Sequence, residues 1–243
     1  MNKLLIITLI LYSTFTSANT AIDITYYTSD KSSAPLQIPS ENSGIVTDVL
    51  EMLDLPNVNL VYKTLPFKRM ILSLKESEIP WVTYGSAQWK DIRRKGLSIN
   101  PIMTVRHVLL TTSDENYDSI IDIIDKGIVL IRGFNYPGLE ELIKQRPERV
   151  FYVKSQEAAI KMVRRGRVAA FVEMESRLNY HLNKLAIDRA TITMHDFSDI
   201  IPNYDVNLSF SHNFPKAHKS SIESQLEHFK KTGQLEAVLQ KYK

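Results

Sequence analysis

The chain of 243 residues contains no cysteine. Disulfide staples, a thiol nucleophile and a lipid anchor on cysteine are thereby excluded, so the fold must be held by its core. Common catalytic signatures are also missing. There is no phosphate-cradling glycine-rich loop before a helix, no His-Glu-x-x-His and no Gly-x-Ser-x-Gly elbow. The six histidines are scattered, and His107, His181 and His195 lack metal-ligand spacing. Charge of one sign is scarce as well. The net charge is +3, with basic clusters only at 90–95, 164–167 and 216–219. These read as solvated helix ends, and a nucleic-acid binder carries a stronger single-sign stripe.

Long apolar runs are absent except at the start. Met1-Asn2-Lys3 precedes an apolar run over 4–11, and Thr16-Ser17-Ala18 supplies small residues for cleavage. A charged, then apolar, then small-residue order reads as a secretory signal peptide over 1–18, too short to span a bilayer as a mature helix. The expected compartment is the periplasm, without a lipid anchor. About 225 residues then remain, enough for two modest domains.

Short strand-like runs alternate with amphipathic helical stretches, the pattern of an α/β fold. The spacing predicts strands at 22–26, 59–62 and 81–84, the last ending at Gly85. Between them lie a helix opened by Gly44, with Ile45, Val46, Val49, Leu50 and Leu53 on one face, and a second from Pro66 with Ile71 and Leu74 inward. Strand-helix-strand-helix-strand is half of a doubly wound sheet. A second such unit follows: a helix over 118–125, a strand at 128–131, and a turn from Arg132 to Tyr136 with Pro137 opening a helix. Next come strands at 150–153 and 168–172 flanking a helix capped by Ser155. Runs at 107–112 and 204–210 are extended, and two helices striped by Ile222, Leu226, Phe229 and Leu235, Val238, Leu239 close the chain. Trp81 is expected in the core.

Arg93 lies in a polar turn before Leu97-Ser98-Ile99, which alternates like a half-buried strand and is stopped by Pro101. An arginine at a sheet edge offers a planar two-pronged donor to a carboxylate. The plainer alternative is a surface arginine paired with Asp91. Arg94, next to it, points elsewhere on a helix. The spacing Arg93, Leu97, Ile99, Asn100, Pro101 resembles the family 3 extracellular solute-binding proteins of bacteria, which share their fold with ionotropic glutamate receptor cores. Asn100 takes a Ser-like slot, and Gln88 and Lys90 replace the family's Thr-x-Thr.

The resemblance implies an α/β two-lobed periplasmic-binding-protein type II fold. Each lobe is then a doubly wound sheet with helices on both faces, joined by a two-strand hinge. The tail returns to the first lobe, so that 19–108 with 208–243 form lobe 1 and 109–207 form lobe 2. It also implies a ligand held between the lobes, where strand carboxyl ends meet. Arg93 would grip the carboxylate of an amino acid, and Glu173, or else Glu175, its amino group. Phe134, Asn135 and Tyr136 sit at a helix start, where backbone N–H groups attract an anion. Tyr27, Phe67, Arg69, Tyr84, Gly85 and Ser86 are the candidates on the first lobe. The expected activity is capture of a small polar carboxylate by hinge closure, with no cofactor or metal. The expected partners are the small-molecule ligand and an ABC permease or a membrane sensor, and the chain is expected to act as a monomer. The alternative is a cyclohexadienyl-dehydratase-like enzyme on the same scaffold, with Glu173 as general acid.

Overall fold

Runs such as Ile24-Thr25-Tyr26-Tyr27 and Val129-Leu130-Ile131 are buried on both faces, which requires helices above and below the sheet they belong to. The computed structural model describes residues 21–29, 33–114, 117–134 and 136–243; the expected signal segment and Asn135 lie outside them. The first sheet contains β1 (Ile22–Ser29), β2 (Val58–Leu65), β3 (Trp81–Gly85), β4 (Met103–Val105) and β10 (Tyr204–Phe210) in the order β2-β1-β3-β10-β4. The second contains β5 (His107–Thr112), β6 (Ile128–Ile131), β7 (Val150–Val153), β8 (Ala170–Met174) and β9 (Ile192–Asp196) in the order β7-β6-β8-β5-β9. In each sheet three parallel strands are followed by a strand of opposite direction, β10 against β3 and β5 against β8.

Parallel neighbours need crossovers, and helices supply them. In the first unit these are α1 (Ile45–Met52) and α2 (Phe67–Glu76). In the second, α3 (Ile120–Asp125) precedes β6, α4 (Glu140–Gln145) joins β6 to β7, and α5 (Gln156–Arg164) joins β7 to β8. α6 (Glu175–Lys184) starts directly after β8. The Ser155 hydroxyl accepts from the Ala158 N–H, as expected of an N-cap. The tail helices α7 (Lys216–Lys231) and α8 (Gln234–Lys241) bury the expected Ile222, Leu226, Phe229, Leu235 and Val238. Tyr242 pins this tail to α1: its hydroxyl accepts from the Gly44 N–H at 2.7 Å and donates to Asp48 at 2.9 Å. Among the described residues no helix is long and apolar enough to cross a membrane.

Three expectations change. The 97–99 stretch forms one bridge to β10, Leu97 to Ser209, and no strand. Ser98 is the buried member, held by the Leu208 carbonyl and the Asn207 side chain, while Ile99 is 83% exposed. The Glu223 carboxylate takes the Ile99 and Asn100 N–H groups, drawing the chain off the sheet. Pro137 opens no helix, because Gly138 adopts φ +93°, outside helical space, and α4 begins at Glu140. The crossings also shift: His107 and Val108 pair in the second sheet, and Tyr204 to Asn207 in the first. Arg106 and the segment 197–203 therefore join the two sheets.

Candidate functional site

Gly85 ends β3, and the chain returns over it as a single 3-10 turn, Ile92–Arg94. A Cβ on Gly85 would lie 1.8 Å from the Arg93 carbonyl oxygen, so only glycine permits this approach. Asp91 caps the turn by accepting from the Arg93 N–H at 2.9 Å, and accepts again from Arg93 Nε at 3.1 Å and Nη2 at 2.9 Å. Arg93 is 5% exposed. Its guanidinium carbon stands 4.2 Å from the Trp89 ring centre, 4.8 Å from Phe67 and 5.5 Å from Tyr84. The aromatic faces replace water around the cation, and Asp91 occupies one edge of its fork. Of the five N–H donors of a guanidinium, three remain beyond the two that Asp91 takes. The pairing with Asp91 thus exists, but in a buried cage and not on the surface.

Arg93 lines a cavity of about 40 Å³ between the lobes. Ser29, Ser33, Phe67, Tyr84 and Trp89 share its first-lobe wall, and Phe134, Met174 and Arg177 form the facing wall. That volume holds a water or two and no larger solute.

Arg177 is 4% exposed, with its guanidinium carbon 4.7 Å from the Phe134 ring centre. It follows Glu173 by four residues, which brings the two onto one face where β8 passes into α6. Nη1 stands 3.8 Å from Glu173 Oε1, beyond hydrogen-bond reach, and Nε has no partner among the described residues. The Ser29 hydroxyl, on the opposite wall, is likewise buried without a partner. Glu173 is 1% exposed and is not part of the cavity wall. Its Oε1 accepts from the Met174 N–H at 2.9 Å and its Oε2 from the Gln156 amide at 3.3 Å. Burial pushes its carboxyl above the usual range, against the pull of Arg177 and these two donors.

The other candidates divide. Phe67, Tyr84 and Phe134 reach the cavity with Arg93, and Gly85 positions Arg93 from behind. Ser86 is buried in the turn after β3, its hydroxyl accepting from the Gln88 N–H. Tyr27 packs with Met70, Leu74 and Trp81 under α2, away from the cavity. Trp81 is in the core, as expected. Arg69 and Arg94 are exposed. The Tyr136 hydroxyl accepts from the Ile131 N–H at 2.8 Å, so this side chain braces its own turn. Glu175 pairs with Arg106 through two contacts, at 2.6 and 3.0 Å, at the strand crossing. Trp89, Ser29, Met174 and above all Arg177 were not foreseen. The readable signal for Arg177 was its helical spacing from Glu173.

His107 opens β5 just after the crossing. Its ring lies between Tyr136 and Tyr204, with centroids 6.2 and 5.7 Å away, and Nδ1 has no partner among the described residues. Burial, with Arg177 adding to it, lowers its pKa from 6.5 to about 3, so it is neutral.

No family model matches the chain, and no curated protein sequence does. Solved structures do. A chain from the structural study of glutathione import in Streptococcus mutans via GshT and the cystine ABC importer TcyBC is similar over 92% of this chain and 95% of that one, with TM-score 0.71 and 16% identity. The arginine-, lysine-, histidine-binding protein ArtJ of Geobacillus stearothermophilus is similar over 90% and 94%, with TM-score 0.67 and 14% identity. The BvgS VFT2 domain of Bordetella pertussis is similar over 91% and 93%, with TM-score 0.67 and 17% identity. The fold is therefore the two-lobed type 2 periplasmic-binding fold. At these identities the likeness extends to the fold alone.

Proposed function

We propose that the chain is a periplasmic solute-binding protein that closes its lobes on a small carboxylate and presents the closed form to an ABC permease or a membrane sensor. One observation carries this reading: Arg93 from the first lobe and Arg177 from the second wall the same aromatic-lined cavity. Closure would bring two fixed cations to one anion in a low-dielectric site, where charge-assisted hydrogen bonds are strongest. The neighbours of this fold include amino-acid-binding proteins and sensor domains, which is compatible with either partner. An amino acid is the class expected from the resemblance, with Arg93 on its carboxylate. The ammonium half of that expectation has weaker support, because Glu173 accepts from the Gln156 amide and the Met174 N–H and is not on the cavity wall. Elimination chemistry has weaker support for the same reason, since a general acid must reach the reacting atom and Glu173 is not on the cavity wall.

The test is calorimetry on protein unfolded, cleared of endogenous ligand and refolded, across a panel of amino acids and small acids. Heat from at least one carboxylate is expected; silence from all of them refutes the reading. Arg93→Ala should weaken the bound carboxylate by about 2–5 kcal/mol, the range for truncating one partner of a buried charge pair. Unchanged affinity would remove Arg93 from the site.

A further inference from the structure

We propose that the cavity selects acids that lack an ammonium group, and that Arg177 is the residue that imposes the choice. The inference rests on the carboxylate-binding reading above and narrows it.

The argument is a count of donors and acceptors facing the ligand. On the acceptor side, neither Asp91 nor Glu173, the two carboxylates near the cavity among the described residues, lies on its wall. Asp91 receives three N–H groups from Arg93. Glu173 receives the Met174 N–H and the Gln156 amide, faces Arg177 at 3.8 Å and is withdrawn from the wall. Aromatic faces can also receive an ammonium. Here Trp89 and Phe67 lie under the Arg93 guanidinium and Phe134 under that of Arg177. On the donor side, the wall is unsatisfied. Arg177 Nε is buried without a partner among the described residues, and Arg93 retains N–H groups beyond those Asp91 takes. The Ser29 hydroxyl can donate as well, from the opposite wall.

A buried guanidinium with an unmade hydrogen bond is costly, and an incoming acceptor relieves it. An acid with oxygen acceptors at two points, such as a 2-oxo acid or a dicarboxylate, meets donors on both lobes. An amino acid meets the same donors with its carboxylate. It also brings a third cation beside Arg93 and Arg177, against a wall that carries no carboxylate among the described residues. Like charges brought together in a dry site disfavour binding, which is how such sites reject a near-isostere.

Matched pairs that differ at the ammonium test this: 2-oxoglutarate against L-glutamate, pyruvate against L-alanine and succinate against L-aspartate, each titrated calorimetrically into refolded full-length protein. The ammonium-free member of at least one pair should bind more tightly by on the order of ten-fold or more. Arg177→Gln should shrink that preference by a similar factor, whereas Arg177→Lys, which keeps the charge, should retain most of it. If Arg177→Gln does not fold because Glu173 loses its counter-charge, the double variant Glu173→Gln with Arg177→Gln removes both charges and should lose the preference. Amino acids binding as tightly as their partners would overturn the inference and leave the carboxylate reading intact. An unchanged preference in a folded variant lacking the Arg177 charge would overturn the role of Arg177. Binding by no acid of either kind would overturn both readings together.

Discussion

Replacing His107 with phenylalanine should make the protein more resistant to acid. The side chain is 2% exposed, its ring packs between Tyr136 and Tyr204, and burial, reinforced by Arg177, lowers its pKa from 6.5 to about 3. The sign follows from which state binds the proton first. The folded pKa lies below the unfolded one, so in the window between about 3 and 6.5 the unfolded chain is protonated and the folded chain is not. The stability from a neutral His107 is fully present above about 6.5 and is lost as pH falls toward about 3. One pKa unit is worth about 1.4 kcal/mol, so at pH 5, about 1.5 units below the unfolded value, the loss is about 2 kcal/mol. Phenylalanine keeps a ring of similar shape and has no proton to take up. Any repacking cost it introduces is the same at every pH, so the informative quantity is the change in stability between pH 7 and pH 5. His181 and His195, also held low by burial, still titrate in the variant and cancel in the comparison. Urea unfolding followed by circular dichroism at pH 7, 6 and 5 should show the variant losing about 2 kcal/mol less than the parent over that interval. Parallel pH profiles would mean that His107 titrates normally and that the region between the sheets is wetter than its packing implies.

Two further changes probe the frame around the site. Gly85→Ala should drive the Ile92–Arg94 turn off β3, because the new methyl would meet the Arg93 carbonyl at 1.8 Å. A stability loss of about 1–3 kcal/mol with weaker carboxylate binding is expected from thermal melts and calorimetry, and wild-type values in both would show that the close approach does not position Arg93. Tyr242→Phe should cost about 1–2 kcal/mol by leaving the Gly44 N–H and Asp48 without their hydroxyl partner, and should speed proteolysis of the α8 end; an unchanged urea midpoint would refute that anchoring role.

The fold was legible where burial is two-sided or strictly periodic. β6 reads as an unbroken apolar run because helices cover both of its faces, and α1 reads as a stripe because one face meets the sheet. Legibility failed where a distant side chain decided the outcome. Nothing in Leu97-Ser98-Ile99 announces that Glu223, on a helix more than a hundred residues away, will take the N–H groups of Ile99 and Asn100. β9 went unseen although Ile192-Thr193-Met194-His195 alternates, because it is a short strand at a sheet edge whose pairing with β5 is set by the neighbouring strand. In the site, Arg93 was legible through its spacing to Pro101. Its cage was less so, because Trp89, Phe67 and Tyr84 come from three different segments that only the sheet brings together.

The two readings of Arg93, a carboxylate grip or a local pair with Asp91, looked exclusive in sequence because each was assigned the whole guanidinium. The planar fork resolves this. Asp91 takes the Nε and Nη2 edge, which fixes the plane and rotation of the group, and the aromatic rings fix its depth. A local carboxylate used in this way prepares the remaining donors for a second anion instead of consuming them. It also lowers the net charge on the first-lobe wall, so attraction for an anion must come in greater part from the lobe opposite. That shifts weight onto Arg177, whose own carboxylate is 3.8 Å away and makes no hydrogen bond to it. Under the proposed function, closure and recognition would be one event, because a ligand that bridges the lobes would satisfy the Nε of Arg177, buried without a partner among the described residues, and hold the lobes shut.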